Sequence, residues 1–164
     1  MTSAQQKWVG LLTPERRAFW ENRSVFITGG FGLLGSTITE LLHAMGARLT
    51  LLQRDEVPSS RLWETEAAKH INIVRGDLLN FQDIYRAIAE YEVDTVFHIG
   101  AQPIAPVGNR APLPTLNMNV MGTANVLEAC RLNPTVKRVL VASSDRAYGA
   151  QPVLPYTEDA SLQG

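Results

Sequence analysis

Thr28-Gly29-Gly30-Phe31-Gly32-Leu33-Leu34-Gly35 is the stretch of this sequence that decides the fold. The apolar run Val25-Phe26-Ile27 precedes it and apolar residues at helical spacing follow it, so the glycines lie between a predicted buried strand and a predicted helix. In such a connection one glycine makes a tight turn, a second lets the backbone approach a pyrophosphate, and a third lets the helix pack on the strand. Backbone N–H groups at the helix N-terminus then hold the negative charge. The expected dinucleotide-binding residues of this loop are Gly29, Phe31, Gly32, Leu33 and Leu34.

The rest of the sequence alternates between strand and helix signals. Short apolar runs predict further strands at residues 49–52, 71–74, 95–99 and 138–142. Because strands that alternate with helices pair in parallel through right-handed crossovers, the pattern predicts an α/β fold with a doubly wound parallel sheet, Rossmann-like and truncated after about the fifth strand. Residues 1–23 are interpreted as an N-terminal extension, and residues 24–164 as an incomplete dinucleotide-binding domain.

The segment between the fourth and fifth strands is rich in proline. A proline-rich loop is predicted with Pro103, Pro106, Pro112 and Pro114, and Pro114 suits the first turn of a following helix. That helix is expected to carry one apolar face, made of Leu116, Val120, Leu127 and Cys130. Since Cys130 is the single cysteine, an intrachain disulfide and a multi-cysteine metal site are excluded, and we expect no metal site.

Composition narrows the classes of function. The chain has 15 basic and 16 acidic residues and a net charge of -1, which argues against a nucleic-acid-binding surface. No apolar run reaches the ~18 residues of a membrane span, and the polar segment Met1–Lys7 lacks the apolar core of a signal peptide. We therefore expect a soluble, cytoplasmic protein that binds neither nucleic acid nor membrane.

The end of the second strand bears on the choice between NAD and NADP. An acidic residue about 20 positions after the glycines usually holds the ribose 2′-hydroxyl of NAD, whereas an arginine there accommodates the 2′-phosphate of NADP. The sequence offers Gln53, Arg54 and Asp55 at this place. Arg54 favours NADP, Asp55 leaves NAD open, and a solvated surface role for Arg54 stays equally open.

Four further motifs, together with the glycine spacing, resemble the extended short-chain dehydrogenase/reductase family. These motifs are Gly76-Asp77-Leu78, residues 97–103 (FHIGAQP), residues 119–123 (NVMGT) and residues 143–149 (SSDRAYG). The resemblance implies that Asp77 and Leu78 contact adenine. It also implies that Ala101 and Gln102 run beside the nicotinamide ribose. Asn119 is expected to face the same cleft, where it positions a water or braces a strand, and His98 is expected to be a packed, neutral histidine.

Within that family the sequence is most similar to the CDP-glucose 4,6-dehydratase branch, on Phe19-Trp20 before the first strand, Ala-Gln-Pro after the fourth, and Ser144-Asp145. The resemblance implies a nicotinamide-dependent 4,6-dehydration of a nucleotide-linked hexose by a homo-oligomer. It assigns Ser144 to the sugar hydroxyl that is oxidised and Asp145 to protonation of the departing hydroxyl. Two alternatives remain, a sugar-nucleotide 4-epimerase and a non-catalytic NAD(P)-binding protein.

Two departures from the family pattern affect the expected activity. Arg146 stands where that branch has Lys, and arginine stays charged, so it is not expected to act as the base for elimination. The family's Tyr-x-x-x-Lys does not occur after Tyr156 within the 164 residues, so we expect this chain alone to be inactive. The predicted strand 138–142 is apolar on both faces and is expected to form an exposed edge.

Overall fold

The computed structural model describes Trp8 and residues 10–163. The segment Met1–Lys7, interpreted above from its polarity, lies outside the described residues, as does Gly164. The strands are β1 (Ser24–Thr28), β2 (Arg48–Gln53), β3 (Ile71–Arg75), β4 (Thr95–His98) and β5 (Arg138–Val141). The helices are α1 (Pro14–Trp20), α2 (Leu33–Ala44), α3 (Phe81–Glu90), α4 (Ala105–Arg110), α5 (Pro112–Leu116) and α6 (Gly122–Leu132). Three 3₁₀ turns cover Arg61–Glu64, Glu66–Lys69 and Asp145–Tyr148.

The strands form one parallel sheet in the order β3-β2-β1-β4-β5. The chain first winds outward from β1 to β3 and then returns to place β4 on the other side of β1. This confirms the predicted doubly wound, Rossmann-like α/β fold. In such sheets the crevice at the carboxyl ends of the strands, where the winding direction reverses, is the usual place for a ligand. Here that point lies between β1 and β4.

Each face of the sheet carries its own core, because successive side chains of a strand point to opposite faces. Phe26 of β1 packs on one face with Ile84 of α3 and Val126 of α6. Val25 and Ile27, its neighbours in β1, pack on the other face in a cluster that includes Leu42 of α2. All five residues of β1 are buried, which explains why the strand was recognisable as a continuous apolar run.

Helix α1 begins directly after its cap residue, Thr13. The Thr13 side chain accepts a hydrogen bond from the Arg16 backbone N–H at 3.3 Å, and Pro14 occupies the first turn. At the other end of α1, Trp20 packs against the second core cluster, with its ring centroid 5.9 Å from that of Phe97 in β4. The described part of the N-terminal segment therefore lies on the body of the sheet.

The prediction for the proline-rich segment was wrong in two respects. The expected loop contains α4, and the helix after Pro112 is interrupted by a π turn at Asn117–Met121 before α6 begins. The expected apolar face is also mostly outward, since Leu116, Val120 and Leu127 are 58%, 58% and 45% exposed while Cys130 is buried. A π turn closes i→i+5 hydrogen bonds, so it shifts the phase of a helical pattern that spans it. The buried face of α6 is formed by Gly122, Val126, Ala129 and Cys130.

The edge strand β5 is exposed along its whole length. Val139, Leu140 and Val141 are 37%, 47% and 45% exposed, although their side chains are apolar on both faces. This confirms the predicted apolar edge, a kind of surface that natural sheets usually cover or interrupt with charge. Within the described part of the chain, no helix combines the length and the apolar character that crossing a membrane requires.

Candidate functional site

The glycine-rich loop is held tightly between β1, β4 and α2. Gly29 has φ +72°, which favours glycine, and a Cβ built on it would lie 2.7 Å from the backbone nitrogen of Gly100. A Cβ on Gly35 would lie 2.0 Å from the carbonyl oxygen of Gly29. These two glycines are therefore explained by the packing of the protein itself, as a turn and as a helix–strand contact.

Gly32 differs from the other two glycines of the motif. Its backbone is extended, with φ −77° and ψ 178°, and a Cβ on it would approach only the Gly29 carbonyl oxygen, at 3.3 Å. Gly32 is the N-cap of α2, and no side chain caps this helix end. The first N–H that closes a helical bond is that of Ser36, which donates to the Gly32 carbonyl at 2.9 Å. The N–H groups of residues 33–35 precede it and are available to an anion.

A cleft at the carboxyl ends of β1 and β2 gathers most of the predicted cofactor residues. It is lined by Gly29, Phe31, Gly32, Gln53, Arg54, Asp77, Leu78, Ala101 and Gln102. The predicted residues Leu33 and Leu34 lie beside this cleft at the start of α2, with side chains 86% and 54% exposed. Because these side chains point into solvent, Leu33 and Leu34 can serve the expected cofactor binding only through their backbone groups.

Gln53 contributes an unusual polar atom to this cleft. The residue is 3% exposed, and its side-chain oxygen is buried without a hydrogen-bond partner among the described residues. A buried acceptor left unpaired costs about 1–3 kcal/mol. Because this oxygen is buried, a ribose hydroxyl or an adenine amino group in the cleft can donate to it only after the Gln53 side chain rotates.

Arginines flank Gln53 on two neighbouring strand ends. Arg54 donates through Nε to Asp55 Oδ2 at 2.6 Å, and Arg75, the register partner of Gln53 in β3, donates to Glu56 Oε1 at 3.0 Å. All four side chains are more than half exposed. Exposed ion pairs contribute about 0–1 kcal/mol, so an incoming phosphate can compete for either guanidinium.

Asp77 and Leu78 follow β3 and line one end of the cleft. The family resemblance implies that adenine lies at this end. The Asp77 carboxylate accepts the backbone N–H of Leu79 at 2.9 Å. Leu78 is buried against the core of α3 and α6, and its carbonyl accepts from Asn125 Nδ2 at 2.9 Å. One carboxylate oxygen of Asp77 is thus occupied by its own turn, which leaves the other for a ligand.

His98, at the end of β4, belongs to a buried chain of hydrogen bonds. Its Nδ1 lies 2.8 Å from Thr28 Oγ1, and its Nε2 lies 2.9 Å from Thr123 Oγ1. Burial lowers the pKa of His98, because the charged imidazolium loses its water. The geometry agrees with the packed, neutral histidine expected from the sequence.

Asn119 braces the loop that follows β4. Its side chain accepts from the Gln102 backbone N–H at 2.8 Å and donates to the Gln102 carbonyl at 3.1 Å. These two bonds hold the loop after β4, whereas the roles expected from the sequence were to position a water or to brace a strand. Asn119 lies in the π turn, a departure from regular helix that often marks functional sites.

A second cleft continues from the first along the ends of β4 and β5. Gly100, Ala101 and Gln102 line both, and Ser144, Asp145 and Asn119 line the second. Ser144 Oγ accepts from the Arg146 backbone N–H at 3.2 Å and lies 3.4 Å from Asp145 Oδ1. Ser144, Asp145 and Arg146 are exposed. The structure thus brings the predicted catalytic residues to the far end of the predicted cofactor cleft.

Sequence reasoning missed two residues of this region, Thr28 and Ser60. Thr28 Oγ1 accepts the Gly100 backbone N–H at 3.0 Å, and Ser60 Oγ donates to the Phe31 carbonyl at 2.8 Å. A threonine that ends a strand and a serine in a polar connection carry no periodic signal. Only the crossing of β1 with β4, and the return of residues 55–70 over the glycine loop, reveals their contacts.

The chain is similar to several known proteins. The CDP-glucose 4,6-dehydratase of Salmonella typhimurium is 31% identical to the chain over 148 residues, which cover 89% of this chain and 41% of that enzyme. An epimerase from Methanothermobacter thermautotrophicus superposes with a TM-score of 0.76 and 30% identity, covering 92% of this chain and 44% of that one. A UDP-glucose 4-epimerase from Brucella ovis, solved in complex with NAD, gives a TM-score of 0.73 at 27% identity, over 86% and 42% of the two chains.

The chain spans less than half the length of each of these relatives, 41–44%. The family pattern itself matches nearly the whole sequence, from residue 25 to residue 163. The chain belongs to the NAD dependent epimerase/dehydratase family.

Proposed function

We propose that this chain binds a nicotinamide dinucleotide across the carboxyl edge of the sheet and forms the cofactor-binding part of a sugar-nucleotide 4,6-dehydratase. The observation that carries the proposal is the environment of Gly32. Its Cβ position opens toward the cleft, and the unsatisfied N–H groups of α2 begin beside it. Among the three glycines of the motif, Gly32 is the one that the protein's own packing constrains least, since its Cβ would meet one atom at 3.3 Å.

The residues present fit a dinucleotide along the two connected clefts. The diphosphate is assigned to the start of α2, and the adenosine to the cleft between Gln53 and Asp77. The nicotinamide ribose is assigned to the shared residues Gly100–Gln102, beside the second cleft. Once its side chain rotates, the buried oxygen of Gln53 gains a donor in this arrangement, which offsets its desolvation.

The cofactor, when bound, supplies the acceptor and later the donor of a hydride for C4 and C6 of the sugar. The side chains of this chain then bind and orient. Ser144 holds the C4 hydroxyl by a hydrogen bond, and Asp145, 3.4 Å from the Ser144 hydroxyl, protonates the departing C6 hydroxyl. Arg146 binds sugar or phosphate oxygens, because a guanidinium keeps its charge and cannot take the C5 proton. The proposal therefore assigns the C4 hydroxyl proton and the C5 proton to bases outside residues 1–164.

NADP is the preferred cofactor in this proposal. Gln53 places a neutral amide where NAD-binding folds usually carry a carboxylate, so a 2′-phosphate is not repelled. Arg54 and Arg75 stand on either side with exposed, weakly held guanidinium groups. The family description and the complex of the Brucella ovis relative name NAD, which keeps NAD as the alternative.

A 4-epimerase is the second candidate, and Arg146 favours it. Epimerisation needs oxidation at C4, turnover of the keto sugar and return of the hydride, but no base at C5. A chain whose residue 146 cannot remove the C5 proton still supports that sequence of steps.

The experiment joins residues 1–164 to the carboxyl-terminal part of the Salmonella typhimurium relative and supplies CDP-glucose in D₂O. Dehydration puts a solvent deuteron on C5 and yields a 4-keto-6-deoxy sugar, whereas epimerisation leaves C5 unexchanged. Both products are distinguished by NMR. Residues 1–164 alone are expected to bind the cofactor without turnover, and rapid turnover by that chain would show that the catalytic residues are misplaced.

A further inference from the structure

We propose that Ser60 is a positioning residue for the diphosphate of the cofactor, acting through the peptide bond between Phe31 and Gly32. The inference rests on the proposed cofactor binding and extends it to a residue outside the glycine motif. Ser60 lies in the connection between β2 and β3, 29 positions from Phe31.

Ser60 is held in one orientation. The residue is 6% exposed, and its hydroxyl donates to the Phe31 carbonyl oxygen at 2.8 Å while it accepts the Leu62 N–H at 3.3 Å. Both contacts are buried. The Ser60 hydroxyl thus uses its hydrogen for the Phe31 carbonyl and a lone pair for the Leu62 N–H. Its burial shields the bond to the glycine-rich loop from competition by solvent.

The Phe31 carbonyl and the Gly32 N–H belong to the same planar peptide unit, so fixing one fixes the other. The Gly32 N–H donates to the Gly29 carbonyl at 3.0 Å. Ser60 and Gly29 therefore hold this peptide from opposite ends. The next peptide, between Gly32 and Leu33, carries the first free N–H group of α2, so the plane that Ser60 and Gly29 fix sets where the chain enters this helix.

The connection is itself anchored to the helix that it helps to orient. Arg61 donates to Glu40 and, at 3.0 Å, to Thr37 Oγ1, and both of these residues belong to α2. The Trp63 ring packs on Phe31 with 5.1 Å between centroids, and its Nε1 donates to the Val57 carbonyl at 2.9 Å. These contacts tie segment 57–63 to both Phe31 and α2.

This placement separates two parts of the binding site. Adenosine contacts are assigned to Gln53, Asp77 and Leu78, none of which Ser60 touches. The diphosphate is assigned to the N–H groups of α2 that follow the Phe31–Gly32 peptide. Loss of the Ser60 hydroxyl should therefore weaken ligands that carry a diphosphate and spare ligands that lack one.

The test compares Ser60→Ala with Ser59→Ala, an exposed neighbour in the same connection. Adenosine binding is followed by ligand-observed NMR, and ADP and NADP binding by calorimetry. For Ser60→Ala we expect unchanged adenosine affinity and a loss of roughly 2- to 12-fold for ADP and NADP, the range of one net hydrogen bond. Ser59→Ala should match the wild type for all three ligands.

Three outcomes would overturn the inference. Equal losses for adenosine and ADP, or loss of the folded circular dichroism spectrum, would make Ser60 merely structural. Unchanged ADP affinity would make its bond to Phe31 irrelevant. If the proposed function itself were wrong, the wild type would bind neither ADP nor NADP. That result is distinct from the three outcomes above, which concern the variants.

Discussion

His98 Nδ1 and Thr28 Oγ1 lie 2.8 Å apart at the point where β1 and β4 end. Thr28 Oγ1 already accepts the backbone N–H groups of Ile99 and Gly100, at 3.2 and 3.0 Å. Its own hydrogen is therefore left for Nδ1, and His98 must carry its single hydrogen on Nε2, facing Thr123. The histidine is a structural tie between the glycine loop and the loop 99–102, not a proton carrier.

Thr28→Val should show how much the hydrogen bonds of Thr28 contribute to the free energy of unfolding. Valine keeps the shape of threonine but leaves His98 Nδ1 and the Gly100 N–H without their partner. We expect the free energy of unfolding to fall by about 1–3 kcal/mol, measured by urea denaturation. Thr135→Val, at an exposed position, should change it by less than about 0.5 kcal/mol. Equal effects of the two substitutions would contradict the proposed hydrogen-bond chain.

Stability should also depend on the protonation of His98. Burial lowers the pKa of His98 from its ordinary 6.5, so at mildly acid pH the unfolded chain takes up a proton that the folded chain does not. The free energy of unfolding should be fully maintained above about pH 6.5 and should decline as the pH falls toward the folded-state pKa. His43, whose pKa burial also lowers, contributes in the same direction.

His98→Gln therefore should flatten the decline without abolishing it. The measurement is urea denaturation of wild type and variant at several pH values between neutral and mildly acid. A slope identical in both proteins would mean that His98 titrates alike in the folded and unfolded chains.

Gly35→Ala should destabilise the fold, independently of any ligand. The new Cβ would lie 2.0 Å from the Gly29 carbonyl oxygen, so α2 would have to move off β1. Overpacking of this kind costs about 1–3 kcal/mol, sometimes more. Gly108→Ala is the matched control, because its Cβ would meet only the Thr115 side chain, at 3.6 Å. That control should leave the melting temperature unchanged or raise it.

Arg54→Ala should separate the two cofactors. If the Arg54 guanidinium binds the 2′-phosphate, NADP affinity should fall by about 1–3 kcal/mol, the range of a charge-assisted hydrogen bond, while NAD affinity barely changes. Calorimetric titration of both cofactors measures this. A loss for both, or for neither, would return Arg54 to its exposed pairing with Asp55.

The fold could be predicted from the sequence because the strongest strand and turn signals lie in short contiguous stretches. The apolar run of β1 and the glycines that follow it are contiguous, and each predicted strand was found within about one residue of its observed bounds. The apolar pattern failed where it had to be continued across the π turn at Asn117–Met121. Leu116 and Val120, before and within this turn, are exposed, and so is Leu127 in the regular helix that follows.

The site was predictable only where a motif carries its own chemistry. The sequence indicated both Gly32 and Gln53 as cofactor-binding residues, but only the role of Gly32 can be understood from the sequence alone. Gly32 follows from the spacing of glycines, whereas the unpaired oxygen of Gln53 is visible only when the neighbours of β2 are in place. Thr28 and Ser60 act through single hydrogen bonds to residues far along the chain. No pattern within a strand or loop encodes such pairs.

The central claim is that Gly32 is a glycine because a dinucleotide lies against it. Calorimetric titration of the wild type and of Gly32→Val with NAD and NADP tests this most directly. We predict binding to the wild type and affinity weaker by roughly 5- to 150-fold in the variant, the factor that an overpacking penalty of about 1–3 kcal/mol implies. The new Cβ would lie 3.3 Å from the Gly29 carbonyl oxygen, a tight contact that needs a shift of a few tenths of an ångström. The circular dichroism spectrum of the variant is therefore measured beside its affinity, and we expect it to match the wild type. Equal affinity in both proteins would contradict the account.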